Sequence, residues 1–356
     1  MTDNPEQYSQ YPQQPPMAPF QAPQPGVIPL RPLDVGAMIS GSFRAVFRNW
    51  LPTLLLPFVG SLIVTAVGVV PMLTLFNQLT DMAGRRADPD QVLSLLGRSL
   101  LFLLLELVLV LALSVLTQAV VTVTVSRAVL GRPTTIPQAL RAAAPRLLPL
   151  AGLAVLVWLI AFGCAFVPFA AVVTLAIVAN APMLGLLAFV VLVGGVLVGA
   201  FYWISYATAP AALVLEPAPV LTALRRSRWL VTNNWWRALG VLLLCGVIVY
   251  FASYLVELPI SFVQLAQMGS ISTSLRPDPR AVLSTVFSPT ALIMITVLSA
   301  VVYALGQAFT IGVSTLLYHD LRIRKESFHL PLWQMAQLPD DLNPGPGPSP
   351  SPEATT

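Results

Sequence analysis

The chain has 356 residues, of which 56% are hydrophobic and only 10% charged, and its mean hydropathy is +0.79. Globular proteins carry about 25% charged residues, so no single water-soluble core can hide this much apolar surface and lipid has to cover it. The formal charge of +4 is a small excess of 19 basic over 15 acidic residues, and no nucleic-acid partner is expected.

The chain opens on a Pro/Gln-rich stretch, residues 1–30, with two acids and no base. It lacks the basic and apolar regions of a cleavable signal peptide and reads as a disordered cytoplasmic tail. Asp34–Trp50 follows as an amphipathic segment. Val35, Met38, Ile39, Phe43, Val46, Phe47 and Trp50 fall on one helical face, Arg44 and Arg48 on another, and Asp34 stands at the N-cap.

Six apolar stretches are long enough to cross a bilayer: about 51–76, 100–125, 148–178, 183–206, 238–256 and 290–318. They form three pairs, and an arginine-bearing amphipathic segment precedes each. The second segment, Thr135–Leu147, has Thr134 and Thr135 as candidate caps and carries Arg141 and Arg146. The third, Pro219–Trp235, carries Arg225, Arg226 and Arg228, with Ser227 and Asn234 interrupting its apolar face. The first and third align without a gap: Val35 on Val220, Ile39 on Leu224, Ser42 on Ser227, Val46 on Val231, and Asn49-Trp50 on Asn234-Trp235. Ile136 and Leu140 take the first two of these positions in the middle copy.

The expected fold is therefore all-α: a polytopic membrane domain over residues 31–330, built from three helix pairs, each led by an interfacial amphipathic helix. A second disordered Pro-rich tail is expected over 331–356. Fourteen basic residues lie on the side of the termini and five on the other, so the positive-inside rule places both termini in the cytoplasm. The seven arginines of the amphipathic segments become candidate contacts for lipid phosphates of the anionic leaflet.

Glu106 is the one acid well inside a span, a candidate intramembrane polar site or a structural carboxylate. Gln118 and Gln307 sit at matching places in spans two and six as expected interhelical hydrogen-bonders. Gly195 and Gly199 offer a small-residue packing face. His319-Asp320 with Arg322 is expected to be a solvated membrane exit, and Cys164 and Cys245 to be packing residues. The sequence holds no phosphate loop, CxxC, HExxH or GxSxG motif, so no catalytic, cofactor-binding or metal-ligating residue and no cofactor is assigned. The proline-rich tails could serve as ligands for a protein partner, although a solubilising role is favoured.

RPLDVGAMISGSFRAVFRNWLPTLLLP, APAALVLEPAPVLTALRRSRWLVTNNWWRALGVLLL and QAFTIGVSTLLYHDLRIRKE together resemble the glycerophosphoryl diester phosphodiesterase membrane-domain family over residues 30–330. That resemblance implies a multi-pass helical domain of the bacterial cell membrane, actinobacterial in type. The hydrolase domain fused to some relatives has no counterpart here, so no enzyme activity carries over. The function expected is a non-enzymatic lipid-associated organiser, with a transporter using Glu106 as the alternative.

Overall fold

The computed structural model describes residues 24–82, 89–181, 183–216, 218–272 and 289–337, and these are helical apart from short connections. Helix α1 spans Val35–Arg48 and passes through a π-helical turn, Leu51–Leu55, into α2, Leu56–Met82. Helices α3 (Pro89–Val129), α4 (Ile136–Ala143) and α5 (Leu147–Val178) follow, the last two joined by the 3-10 turn Ala144–Arg146. Next come α6 (Leu184–Ser205), α7 (Ala209–Leu215), α8 (Val220–Val231) and α9 (Trp235–Ser272). The final long helix is α10, Pro289–Glu326, and a short α11 spans His329–Gln337. Six helices are long and apolar enough to cross a membrane. Leu101, Leu107, Val190 and Leu197 stand more than half exposed on them, an arrangement only a lipid environment makes favourable. The arginines expected on the far side at 85, 86, 276 and 280 lie outside the described residues, as do 1–23 and 338–356.

The pairs α2–α3, α5–α6 and α9–α10 follow one another in a ring, for α3 touches α5, α6 touches α9 and α10 touches α2. Each amphipathic helix touches the second helix of the preceding pair, α1 on α10, α4 on α3 and α8 on α6, and α8 also reaches α5 and α10. The aligned serines make the matching bond. Ser42 Oγ donates to Phe309 O on α10 at 3.1 Å, and Ser227 Oγ donates to Ser205 O at the end of α6 at 2.9 Å. The third position of this set is Ala143 on α4, wholly buried. Ser227 therefore completes a helix contact, reinforced by Thr208 Oγ1 at 2.8 Å. Asn49 and Asn234 also match, each closing its helix with an N–H bond to Val46 O or Val231 O.

The symmetry is incomplete, because α3 also packs against α10 while α6 reaches neither to a comparable extent among the described residues. Helix α10 is consequently the central one: 39% of its most apolar window is buried, against 11–22% for the other five spans. Pairs one and three pack around α10, and the α5–α6 hairpin adds Leu150, Leu153 and Ile204 to the same buried cluster.

That hairpin depends on close backbone approach. A Cβ at Gly199 would lie 2.3 Å from Ala161 O, and one at Gly195 would lie 2.5 Å from Cys164 O, so the small-residue face packs within the chain as expected. Pro168 lies inside α5, which continues through it. Gln118 differs from expectation, since its Nε2 donates to Thr122 Oγ1 one turn along the same helix at 3.2 Å. Both cysteines are unpaired, with Cys245 buried beside Thr310.

Residues 24–30, expected within the N-terminal tail, are packed against the bundle. Val27, Ile28, Leu30 and Leu33 are buried, and Val27 N–H donates to Ala128 O at 3.2 Å. The short Val27-Ile28-Pro29-Leu30 run supplies the apolar side chains that dock this segment. Likewise α11 occupies 329–337, where the second tail was expected, and buries Leu332 in a small cluster with Leu30, Leu130, Ile323 and Phe328.

Gly199→Ala forces a methyl into backbone and is expected to lower stability by about 1–3 kcal/mol. Gly194→Ala, with nothing within 4 Å of the added carbon, should be neutral or slightly stabilising. Thermal unfolding of the two variants in one detergent checks the contrast.

Candidate functional site

Charged side chains gather where α10 leaves the apolar region, at the end of the bundle that also holds α1, α4 and α8. They divide into a buried network and an exposed set. In the buried network, successive turns of α10 present Tyr318, Arg322 and Glu326, with Asp320 and Arg324 one turn apart beside them. All of Tyr318, His319, Asp320 and Arg322 have zero exposure. This corrects the solvated exit expected for His319-Asp320 and Arg322. The helix does not end at the apolar boundary, and its last turns are walled in by α1, α7, α8 and α9.

Glu216, just past α7, accepts a hydrogen bond from Tyr318 Oη at 2.6 Å and pairs with Arg226 Nε of α8 at 3.3 Å. Arg226 Nη2 also pairs with Glu326, and Arg322 Nε donates to Glu326 Oε2 at 3.0 Å. Arg322 Nη1 lies 3.2 Å from Tyr318 Oη and 3.8 Å from Glu216 Oε1. The Phe328 ring covers the Arg322 guanidinium with its centroid 3.5 Å away, a cation–π contact that also excludes water.

Asp320 anchors the other half. Its Oδ2 is 3.0 Å from Arg237 Nε at the start of α9, and Arg324 Nε donates to both carboxylate oxygens at 3.0 Å. Asp320 Oδ1 accepts Leu33 N–H at 2.7 Å. Arg237 Nη2 and Arg324 Nη2 both donate to Leu33 O. The next residue, Asp34, caps α1 as expected, accepting Ala37 N–H at 2.6 Å. His319 Nδ1 lies 2.8 Å from Thr315 O, and its Nε2 is buried without a hydrogen-bond partner among the described residues. No group of three or more metal-ligating side chains occurs among the described residues.

The exposed set contains most of the arginines singled out for lipid. Arg44 and Arg48 on α1, Arg141 on α4 and Arg225 and Arg228 on α8 are exposed, and Arg146 is half-buried. Arg48 also donates to Gly131 O at 3.1 Å, which ties α1 to the loop after α3. Arg226 is the exception: it points into the protein, because Glu216 and Glu326 offer it two carboxylates. Phe43, Phe47, Trp229 and Trp236 are exposed beside the arginines. Lys325 donates to Trp229 O and lies over the Trp229 ring.

Glu106 is elsewhere, half-buried on α3, where its carboxyl group meets α2 at Gly68; a Cβ on that glycine would be 2.9 Å from Oε1. The structure does not bring it together with the charged cluster.

Nothing in the sequence signalled Glu216, Arg237 or the Leu33 peptide as partners of α10. The i, i+4 spacing of Tyr318, Arg322 and Glu326, and of Asp320 and Arg324, was the available signal that one face of the exit helix is charged. Removing one member of such a network leaves another charge buried and unpaired, which typically costs about 3–5 kcal/mol. Arg322→Met should therefore unfold the protein at markedly lower temperature, whereas Arg225→Ala should leave the unfolding midpoint nearly unchanged.

No curated protein and no solved structure matches the chain. A family model described as a domain of unknown function, DUF7847, matches residues 103–321, from within α3 to the buried turn of α10 and over more than half of the chain. The helical membrane protein described here belongs to that family.

Proposed function

We propose that the protein is a non-catalytic organiser of the bacterial plasma membrane, seated with its basic end on the anionic cytoplasmic leaflet. The observation that carries this reading is the division of the arginines. Arg226, Arg237, Arg322 and Arg324 pair with carboxylates of the protein itself, while Arg44, Arg141, Arg225 and Arg228 are exposed on short helices beside Phe43, Phe47, Trp229 and Trp236. Aromatic residues next to exposed cations suit the headgroup region, where rings settle at the interface and each basic side chain near an anionic surface contributes roughly 1 kcal/mol. The 14-to-5 bias of basic residues supports the same orientation. Likeness of residues 30–330 to the glycerophosphoryl diester phosphodiesterase membrane domain supports a membrane role.

Native mass spectrometry of protein released from mixed phosphatidylglycerol and phosphatidylcholine bilayers tests this. Wild-type protein should retain phosphatidylglycerol preferentially. The combined variant Arg44→Ala, Arg141→Ala, Arg225→Ala, Arg228→Ala should lose at least about tenfold in affinity for it, given roughly 1 kcal/mol per basic residue at the surface. Equal retention by both proteins would contradict the reading.

A second reading, transport, is favoured by one observation: Glu106 keeps a half-buried carboxylate inside a span, against Gly68. Liposome flux of a cation or a glycerophosphodiester that vanishes in Glu106→Gln would replace the organiser reading with this one.

A further inference from the structure

We propose that Arg237, Arg324 and Asp320 form an anion cradle whose resident occupant is the backbone carbonyl of Leu33, and that a phosphate oxygen can take its place. None of these three residues belongs to the exposed set on which the lipid reading rests, so the two ideas stand or fall separately.

The geometry is that of a built site. Asp320 is wholly buried and holds the Nε atoms of both arginines at 3.0 Å, which turns both Nη2 groups toward one point. The occupant of that point is a single neutral oxygen, Leu33 O. Two guanidinium groups against one carboxylate leave a local charge of +1, and a neutral carbonyl does not offset it. A guanidinium already makes a charge-assisted hydrogen bond to a carbonyl, and an anionic oxygen adds ion pairing to it. The two Nη2 groups, one from each guanidinium, can clamp two oxygens of one phosphate, which a single carbonyl oxygen cannot offer. The cradle lies within reach of solvent or headgroups, since the Arg237 and Arg324 side chains remain 26% and 32% exposed.

The occupant is held in a manner that lets it leave. Residues 24–34 form no helix or strand, and Pro25, Pro29 and Pro32 contribute no N–H. Two hydrogen-bonded anchors hold the strap, at Val27 and at Leu33, with Ile28 and Leu30 buried between them. At the first, Val27 N–H bonds to Ala128 O and Gly26 fits so closely that a Cβ would lie 2.2 Å from that same oxygen. At the second, the Leu33 peptide bonds to Asp320 and the two arginines. Displacement needs only the second anchor to open. The Leu33 side chain is buried and opposes this, and the ion pairing gained with phosphate offsets that cost. Because Leu33 immediately precedes the cap of α1, an anion in the cradle would loosen the start of that helix.

Hydrogen exchange on the full chain in nanodiscs tests the proposal, read separately at the Leu33 and Val27 amides. Three conditions are compared: phosphatidylcholine alone, phosphatidylcholine with inorganic phosphate, and phosphatidylglycerol. Exchange at Leu33 should rise about tenfold with an anion while Val27 stays protected, as expected where charge-assisted bonds compete for the arginines. A rise only with phosphatidylglycerol assigns the cradle to a lipid headgroup, and a rise with inorganic phosphate assigns it to the free anion. No change at Leu33 in either condition overturns the proposal, as does an equal rise at Val27, which would mean the whole strap had detached. Arg324→Lys keeps the charge but loses the fork. It should shift the midpoint of the anion response at least about tenfold upward, and a midpoint moved less than about twofold would also overturn the assignment.

Discussion

A carboxylate with zero exposure at the exit of a membrane helix is the constraint around which the described structure is arranged. An isolated charge in such a place would be prohibitively costly, and it persists only where paired and hydrogen-bonded on every side. Asp320 meets that requirement with groups from three separate parts of the chain: Arg237 at the start of α9, Arg324 one turn along its own helix, and the Leu33 peptide ahead of α1. Its neighbour Arg322 does the same with Glu216, Tyr318 and Glu326. The last span is thereby joined to the first amphipathic helix, and the ring of helix pairs closes.

The repeat gains physical meaning from this closure. Each amphipathic helix serves the pair that precedes it in the ring, and for α1 that pair is the last one made. Ser42 and Ser227 bond to carbonyls of α10 and α6 in turn, and Gly312 leaves the room that Ser42 needs. Apolar burial alone could not fix this arrangement, because between helices in lipid it supplies little driving force. Small residues and polar bonds specify it instead.

Much of the fold was legible in the residues. Length and hydropathy identify the six spans, the aligned segments identify three amphipathic helices, and Asp34 is the N-cap the sequence implies. The glycine pair in α6 packs as its spacing suggests. The buried network was not legible, for a definite reason: Leu33 and Asp320 stand 287 residues apart, and no local pattern reports such a contact. The charged run after Tyr318 resembles an ordinary membrane exit until one knows that α7 and α8 cover it. Arg226 resembles its neighbours Arg225 and Arg228 in sequence, yet Glu216 and Glu326 draw it inward while they remain exposed. In the strap, proline content masked the apolar residues that dock it.

The central claim is that Asp320 couples separate repeats, and a double-mutant cycle measures that directly. Unfolding free energies of Arg237→Met, Asp320→Leu and the double variant, determined in one detergent, give the interaction energy between α9 and α10 at this point. Residues in a shared buried network show couplings of about 0.5–3 kcal/mol, and the account predicts a value in the upper part of that range, with the double variant more stable than the sum of the single losses implies. Additivity within about 0.5 kcal/mol would contradict it, leaving the ring without the charged closure on which the rest of the structure depends.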